Sequence, residues 1–219
     1  MKLNVEKMKL KCTELPYIGH LLTDTGLKPD PSKVEAILKM ERPTDIQGVQ
    51  RFCGMVNYLA KFLDKLSDMC EPLRLLTHQD IEWQWTEVHD EAFQRIKTAV
   101  SDVPVLKYFD SKAETTLQCD ASEMGLGISL LQNGQPIAYA SRALSATERN
   151  YAQIEIALLA VVFGMERSHQ FTNGRKITVH SDHKPLETIF KKPLLSAPKR
   201  LQQMLMRLQV YDLDLVYKQ

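Results

Sequence analysis

The chain has 219 residues, 44% of them hydrophobic, enough for one sizeable core or one core with a smaller companion. Its formal net charge of +1 and charged fraction of 25% are ordinary for a globular protein, so charge neither requires nor excludes a nucleic-acid partner. The longest apolar run, residues 156–164, is too short to span a membrane, and the charged residues 1–7 exclude a signal peptide there, so the expectation is an intracellular protein with no membrane partner.

Residues 1–110 read mainly as short helices. Ser32-x-x-Glu35, preceded by Pro29 and Pro31, is a capping box opening a helix to about residue 40. Thr44-x-x-Gln47 follows Pro43 and opens a second, with Val49, Phe52, Cys53, Val56, Leu59, Phe62 and Leu63 near helical period. A third is predicted from Thr86 to Val100, burying Ala92, Phe93, Ile96 and Val100. Trp83 and Trp85 flank its start and are read as core packing, with stacking on bases the alternative. Cys12, Cys53, Cys70 and Cys119 form no C-x-x-C pair and have no His at zinc-finger spacing, so they are read as reduced thiols.

The period changes after Pro104. Residues 115–122 are strand-like. Residues 127–132 and 136–141, joined by Asn133-Gly134, give the strongest hairpin signal in the chain. Gly125 and Gly127 are read as allowing a tight approach at the first strand turn. Ser145-x-x-Glu148 opens a predicted long helix to about Arg167, apolar nearly all round from Ile156. Residues 176–181 form a strand, 185–191 and 197–209 short helices, and 213–217 a last strand. The second half therefore reads β-β-β-α-β-α-α-β. The boundary falls near Pro104, dividing a mainly helical segment, 1–103, from an α/β domain, 104–219.

Three carboxylates resist an ordinary reading. Asp120 lies in a strand-like run, where aspartate is disfavoured. Glu155 precedes a long apolar helix face, and Asp182 ends the strand 176–181. A carboxylate beside a buried surface must be paired, protonated or bound to a cation. Taken singly, each also fits a turn or helix cap. If the three converge, an all-oxygen site favours Mg²⁺ or Mn²⁺ over zinc. Paired metals roughly 3.5–4 Å apart suit in-line displacement at phosphorus.

Four blocks carry a resemblance: Cys119-Asp-Ala-Ser-Glu-Met-Gly-Leu-Gly, Pro136-Ile-Ala-Tyr-Ala-Ser-Arg, Glu148-Arg-Asn-Tyr-Ala-Gln-Ile-Glu155 and Ser181-Asp-His-Lys-Pro-Leu. In order and spacing they resemble the ribonuclease H domain of Ty3/Gypsy-type retrotransposon reverse transcriptases. Tyr17-Ile-Gly-His, Pro29-Asp-Pro-Ser-Lys-Val, Phe52-Cys-Gly-Met-Val-Asn-Tyr, Trp85-Thr and Pro104-Val-Leu resemble the thumb and connection upstream of it. The resemblance covers essentially the whole chain. It implies a five-stranded mixed sheet with Asp120 and Asp182 on adjacent parallel strands. It also implies Asp120, Glu155 and Asp182 as catalytic, metal-binding carboxylates for two Mg²⁺ or Mn²⁺ ions. The implied reaction is hydrolysis of the RNA strand of an RNA–DNA hybrid, with selectivity from 2′-hydroxyls and hybrid shape. The implied partner in cis is the polymerase palm and fingers of the same Pol polyprotein, of which this chain reads as a fragment.

The departures also carry weight. The Tyr-x-Asp-Asp polymerase motif is absent, so no polymerase activity is expected of this chain. The family's fourth acidic residue lies in an Ala-Asp-Ala-Leu-Ser-Arg-like segment beyond Gln219, and neither Asp212 nor Asp214 matches it. Ile128-Ser129, Ile156-Ala157, Arg51, Cys53 and Leu63-Asp-Lys depart from the usual pattern, as in a decayed or domesticated copy. Ser122, Arg142, His183, Lys199 and Arg200 are the candidates for contacting nucleic acid, against a solvated-surface reading of the basic residues and a structural reading of His183. A non-catalytic remnant that binds hybrid or only connects domains is the alternative. A transposase or integrase core is disfavoured, because its acids run Asp, Asp, Glu along the chain.

Overall fold

The computed structural model of the chain describes residues 11–218. The first half opens with a small sheet that periodicity did not predict. Strands β1 (Glu14–Tyr17), β2 (His20–Thr23) and β3 (Leu27–Pro29) pair antiparallel in that order. Strands of three or four residues are too short for alternation to register. The β1–β2 turn places Ile18 and Gly19 at φ 45° and 71°. A Cβ on Gly19 would stand 1.4 Å from the Tyr58 hydroxyl, which donates to the Ile18 carbonyl at 3.2 Å.

Helices α1 (Pro31–Lys39) and α2 (Ile46–Asn57) form where expected, but neither predicted capping box does. Asp30 Oδ1 accepts from Ser32 N–H at 2.9 Å, and Asp45 Oδ1 from Gly48 N–H at 2.6 Å. A charged carboxylate answers both the unsatisfied N–H groups and the positive end of the helix dipole. A 3₁₀ turn (Ala60–Phe62) and Lys65, at φ 50°, lead into α3 (Leu66–Leu75). That helix was not predicted; it carries Pro72, a residue that normally reads as a breaker. Thr86 caps α4 (Glu87–Ser101), which buries Ala92, Phe93, Ile96 and Val100 as expected. Phe93 meets Phe52 at 4.6 Å between ring centroids, and Trp83 and Trp85 pack against the same core.

The second half matches its predicted order. Strands β4 (Thr115–Ala121), β5 (Gly125–Gln132) and β6 (Gln135–Ala143) form a meander. Asn133 and Gly134 take φ 51° and 73°, the left-handed pair a two-residue hairpin turn demands. Then come α5 (Gln153–Arg167), the single turn α6 (His169–Thr172), β7 (Lys176–Ser181), α7 (Pro185–Lys191), α8 (Lys199–Leu208) and β8 (Asp212–Tyr217). The five-stranded sheet runs β6-β5-β4-β7-β8, with β4–β7 and β7–β8 parallel and the other pairs antiparallel. It is the expected mixed α/β sheet.

The predicted long helix from Ser145 does not form as one piece. Glu148 accepts from Ser145 N–H at 2.8 Å, but only a 3₁₀ turn (Glu148–Asn150) follows. Tyr151 and Ala152 are extended, and α5 starts afresh. Both Glu148 oxygens are gripped by the Arg142 guanidinium at 2.8 Å, which ties the turn to β6. This contact depresses the Glu148 carboxyl to about 2 from 4.5. A depressed carboxyl stabilises the fold above its unfolded value and loses that contribution as pH falls through the folded value. Glu148→Gln is therefore expected to destabilise by about 1 kcal/mol at pH 7, read by urea denaturation. Its gap to the parent chain should close between pH 4.5 and about 2.

Helix α5 packs on one face of the sheet against Leu117, Cys119 and Ile128. Gly164 permits this: a Cβ there would stand 2.9 Å from both Ile128 Cγ2 and Leu117 Cδ2. The opposite face receives the start of α3. A Cβ on Gly125 would stand 2.5 Å from Asp68 Oδ1, so this glycine makes room for α3, an approach the sequence did not foresee. The two apolar clusters, one on each side of this contact, are joined by polar bridges. Glu71, its side chain 9% exposed, pairs with Arg149 at 2.6 Å. Ser67 N–H donates to Ser141 Oγ at 2.9 Å. No helix among the described residues is long and apolar enough to cross a membrane.

Candidate active site

The parallel register between β4 and β7 sets Cys119 opposite Ser181. Asp120 and Asp182 therefore follow at the carboxyl ends of neighbouring parallel strands, where open α/β sheets form their crevices. Both line one open cavity of about 300 Å³, with Asp64, Lys65, Gln118, His180 and Lys218 also on its walls. Asp182 is exposed and Asp120 half-buried, so the two acids face water.

Asp120 is not bare. Lys65 Nζ stands 2.5 Å from its Oδ2. The hydrogen bond to Asp120 raises the Lys65 ammonium above its ordinary value. Burial lifts the neighbouring Asp64 carboxyl, an effect opposed by Lys65. Burial lowers the His180 imidazole, helped by Lys218, so His180 is neutral at pH 7. Its Nδ1 is buried without a hydrogen-bond partner among the described residues.

Glu155 lies in the first turn of α5. Its Oε2 accepts from Ala152 N–H at 3.0 Å and from Arg200 Nη1 at 2.7 Å. The Arg200 guanidinium also covers the Tyr151 ring at 4.1 Å. The apolar flank of Glu155 demanded a counter-charge, and α8 supplies it. Glu155 does not line the Asp120–Asp182 cavity. Among the described residues no group of three or more His, Cys, Asp and Glu is arranged to hold a metal ion. The structure thus gathers two of the three predicted acids and turns the third toward a helix.

The candidate nucleic-acid contacts scatter. Ser122 Oγ closes the β4–β5 turn, accepting from Gly125 N–H at 2.9 Å. The Arg142 fork is occupied by Glu148. His183 N–H donates to Ser181 Oγ at 3.2 Å, beside the cavity. Lys199 is exposed at the start of α8. Sequence reading missed Asp64, Lys65, His180 and Lys218. One signal was available: Leu63-Asp-Lys departs from the family pattern, and two of those three residues line the cavity.

Comparison with known proteins agrees with this architecture. Residues 85–179 match the RNase H-like domain found in reverse transcriptase. Over 99% of its length the chain is 33% identical to the retrovirus-related Pol polyprotein from transposon 297 of Drosophila melanogaster, covering 20% of that protein. It is 30% identical to the Pol polyprotein from transposon opus of the same organism, over 100% of the chain and 23% of the relative. The transposon Tf2-3 polyprotein of Schizosaccharomyces pombe is 26% identical over 99% of the chain, which covers 17% of it. The chain spans about a fifth of the length of these curated relatives. In fold it resembles the foamy viral protease-reverse transcriptase in complex with RNA/DNA hybrid. That match has a TM-score of 0.78 and 23% identity, over 98% of this chain and 30% of that one. The chain therefore carries the RNase H-like domain of reverse transcriptases, in a sequence related throughout to the Pol polyproteins of Ty3/Gypsy-like retrotransposons.

Proposed function

We propose that this chain is a Pol segment that binds RNA–DNA hybrid and hydrolyses the RNA strand, working beside the polymerase palm and fingers of the same polyprotein. Residues 1–103 are its palm-end, thumb and connection segment, and residues 104–219 its RNase H-like domain. One observation carries the reading: Asp120 and Asp182 stand on adjacent parallel strand ends and open into one cavity. The foamy viral relative in fold was solved with an RNA/DNA hybrid, which supports the same class of ligand here.

The oxygen donors suit a hard divalent cation, Mg²⁺ or Mn²⁺. Asp120 already attracts a positive charge, that of Lys65. Asp120 and Asp182 would hold the ion, with Glu155 joining once freed from Arg200. When bound, such an ion lowers the pKa of water and offsets charge developing at phosphorus. The chain's own residues contribute in other ways. His180, its imidazole pKa lowered by burial, forms part of the cavity wall. Lys218 draws phosphate toward the strand ends.

A second reading has its own support. Asp120 and Glu155 are each neutralised by a protein cation, Lys65 and Arg200. That arrangement favours a remnant that binds hybrid or joins domains without cutting. End-labelled RNA–DNA hybrid incubated with the chain in Mg²⁺ or Mn²⁺ separates the two. Cuts in the RNA strand alone, leaving 3′-hydroxyl and 5′-phosphate ends, are the expected result. A gel shift without cleavage in either metal would establish the remnant.

A further inference from the structure

Lys65 reaches Asp120 by a constructed route. It is a non-glycine residue in the left-handed region, φ 50°, immediately before α3. Such a conformation is uncommon and persists where the surroundings impose it. Here α3 is pinned to the sheet by the Ser67–Ser141 hydrogen bond at 2.9 Å and by the close approach at Gly125. The Lys65 stem passes over Gly127, whose added Cβ would lie 3.6 Å from Lys65 Cγ. Gly127 is the register partner of Asp120 on β5. The missing side chain at 127 thus leaves the lane along which the lysine reaches the acid. A longer residue there would crowd it.

We infer that Lys65 is a built-in counter-ion that competes with divalent metal for Asp120, and so sets the metal affinity of the site. The inference rests on the nuclease reading. An ammonium 2.5 Å from Oδ2 already satisfies the carboxylate that would hold a metal. A cation can bind there only after Lys65 swings away, and it must work against that displaced charge. The contact comes from the helical half, so the position of α3 on the sheet governs how readily the acid is released.

The test is Mn²⁺ binding to the full chain, followed by the electron paramagnetic resonance signal of free Mn²⁺. Lys65→Met keeps the stem and removes the charge. The ion pair is exposed enough on both sides for this variant to fold, as circular dichroism will check. Lys65→Met is expected to bind Mn²⁺ about tenfold more tightly than the parent chain. Adding Asp120→Asn to Lys65→Met should abolish that gain. Equal affinity in parent and Lys65→Met overturns the inference and leaves the metal reading standing. A gain that survives Asp120→Asn also overturns it. If neither protein binds Mn²⁺, the metal reading itself falls, and the inference with it.

Discussion

Asp120→Asn is expected to reduce cleavage of the RNA strand by about a thousandfold while leaving hybrid binding within a factor of about three. The substitution keeps shape and removes the charge on which a divalent cation depends. A thousandfold loss corresponds to about 4 kcal/mol at the barrier, far more than the fold has at stake in this residue. The Lys65–Asp120 pair is half-exposed on both sides, and such a pair contributes at most about 1 kcal/mol. Rate and stability therefore separate cleanly. Single-turnover cleavage should collapse, while the thermal midpoint moves by only a few degrees. An unchanged cleavage rate would remove Asp120 from the chemistry.

Gly164→Val is expected to be strongly destabilising. Gly164 sits on the face of α5 that meets β4 and β5, with Ile128, Leu117 and Cys119 around the place of its missing side chain. Even a methyl would approach two of these atoms to 2.9 Å, closer than carbon atoms tolerate. Ile128 and Leu117 are nearly or fully buried and have little room to yield. A branched side chain would push α5 off the sheet. Overpacking of this kind costs about 3 kcal/mol, the upper part of the usual range. In a chain of this size the thermal midpoint should fall by about 10 °C. Gly164→Ala should show a smaller loss in the same calorimetric scan. A valine variant as stable as the parent would mean that the helix can ride further out without loss.

The α/β half was legible in the sequence because its signals are local and strong. Asn133-Gly134 fixes a hairpin, and two apolar strands flank a helix buried on nearly every side. The β4–β7 pairing that aligns Asp120 with Asp182 came through the family resemblance, and the register agrees with it. The first half was less legible. Strands of three or four residues carry too little pattern, and Pro72 masks α3. Serine and threonine looked like helix caps, yet aspartates one or two residues earlier or later do the capping. At the site, Asp64 and Lys65 could not be placed from sequence, because they arrive through the docking of one half on the other. The same is true of Arg200, which reaches Glu155 across a long stretch of chain. The carboxylates were visible, but their partners depend on tertiary contacts.

The order of strands also dictates when the cleft comes into being. Asp120 is synthesised before its neighbour on the parallel strand, which follows only after the hairpin and α5 have been made. Parallel pairings across such a distance close late in folding, since the loop entropy must be overcome first. A nascent polypeptide would therefore hold Asp120 and Asp182 apart until β7 has emerged and docked beside β4.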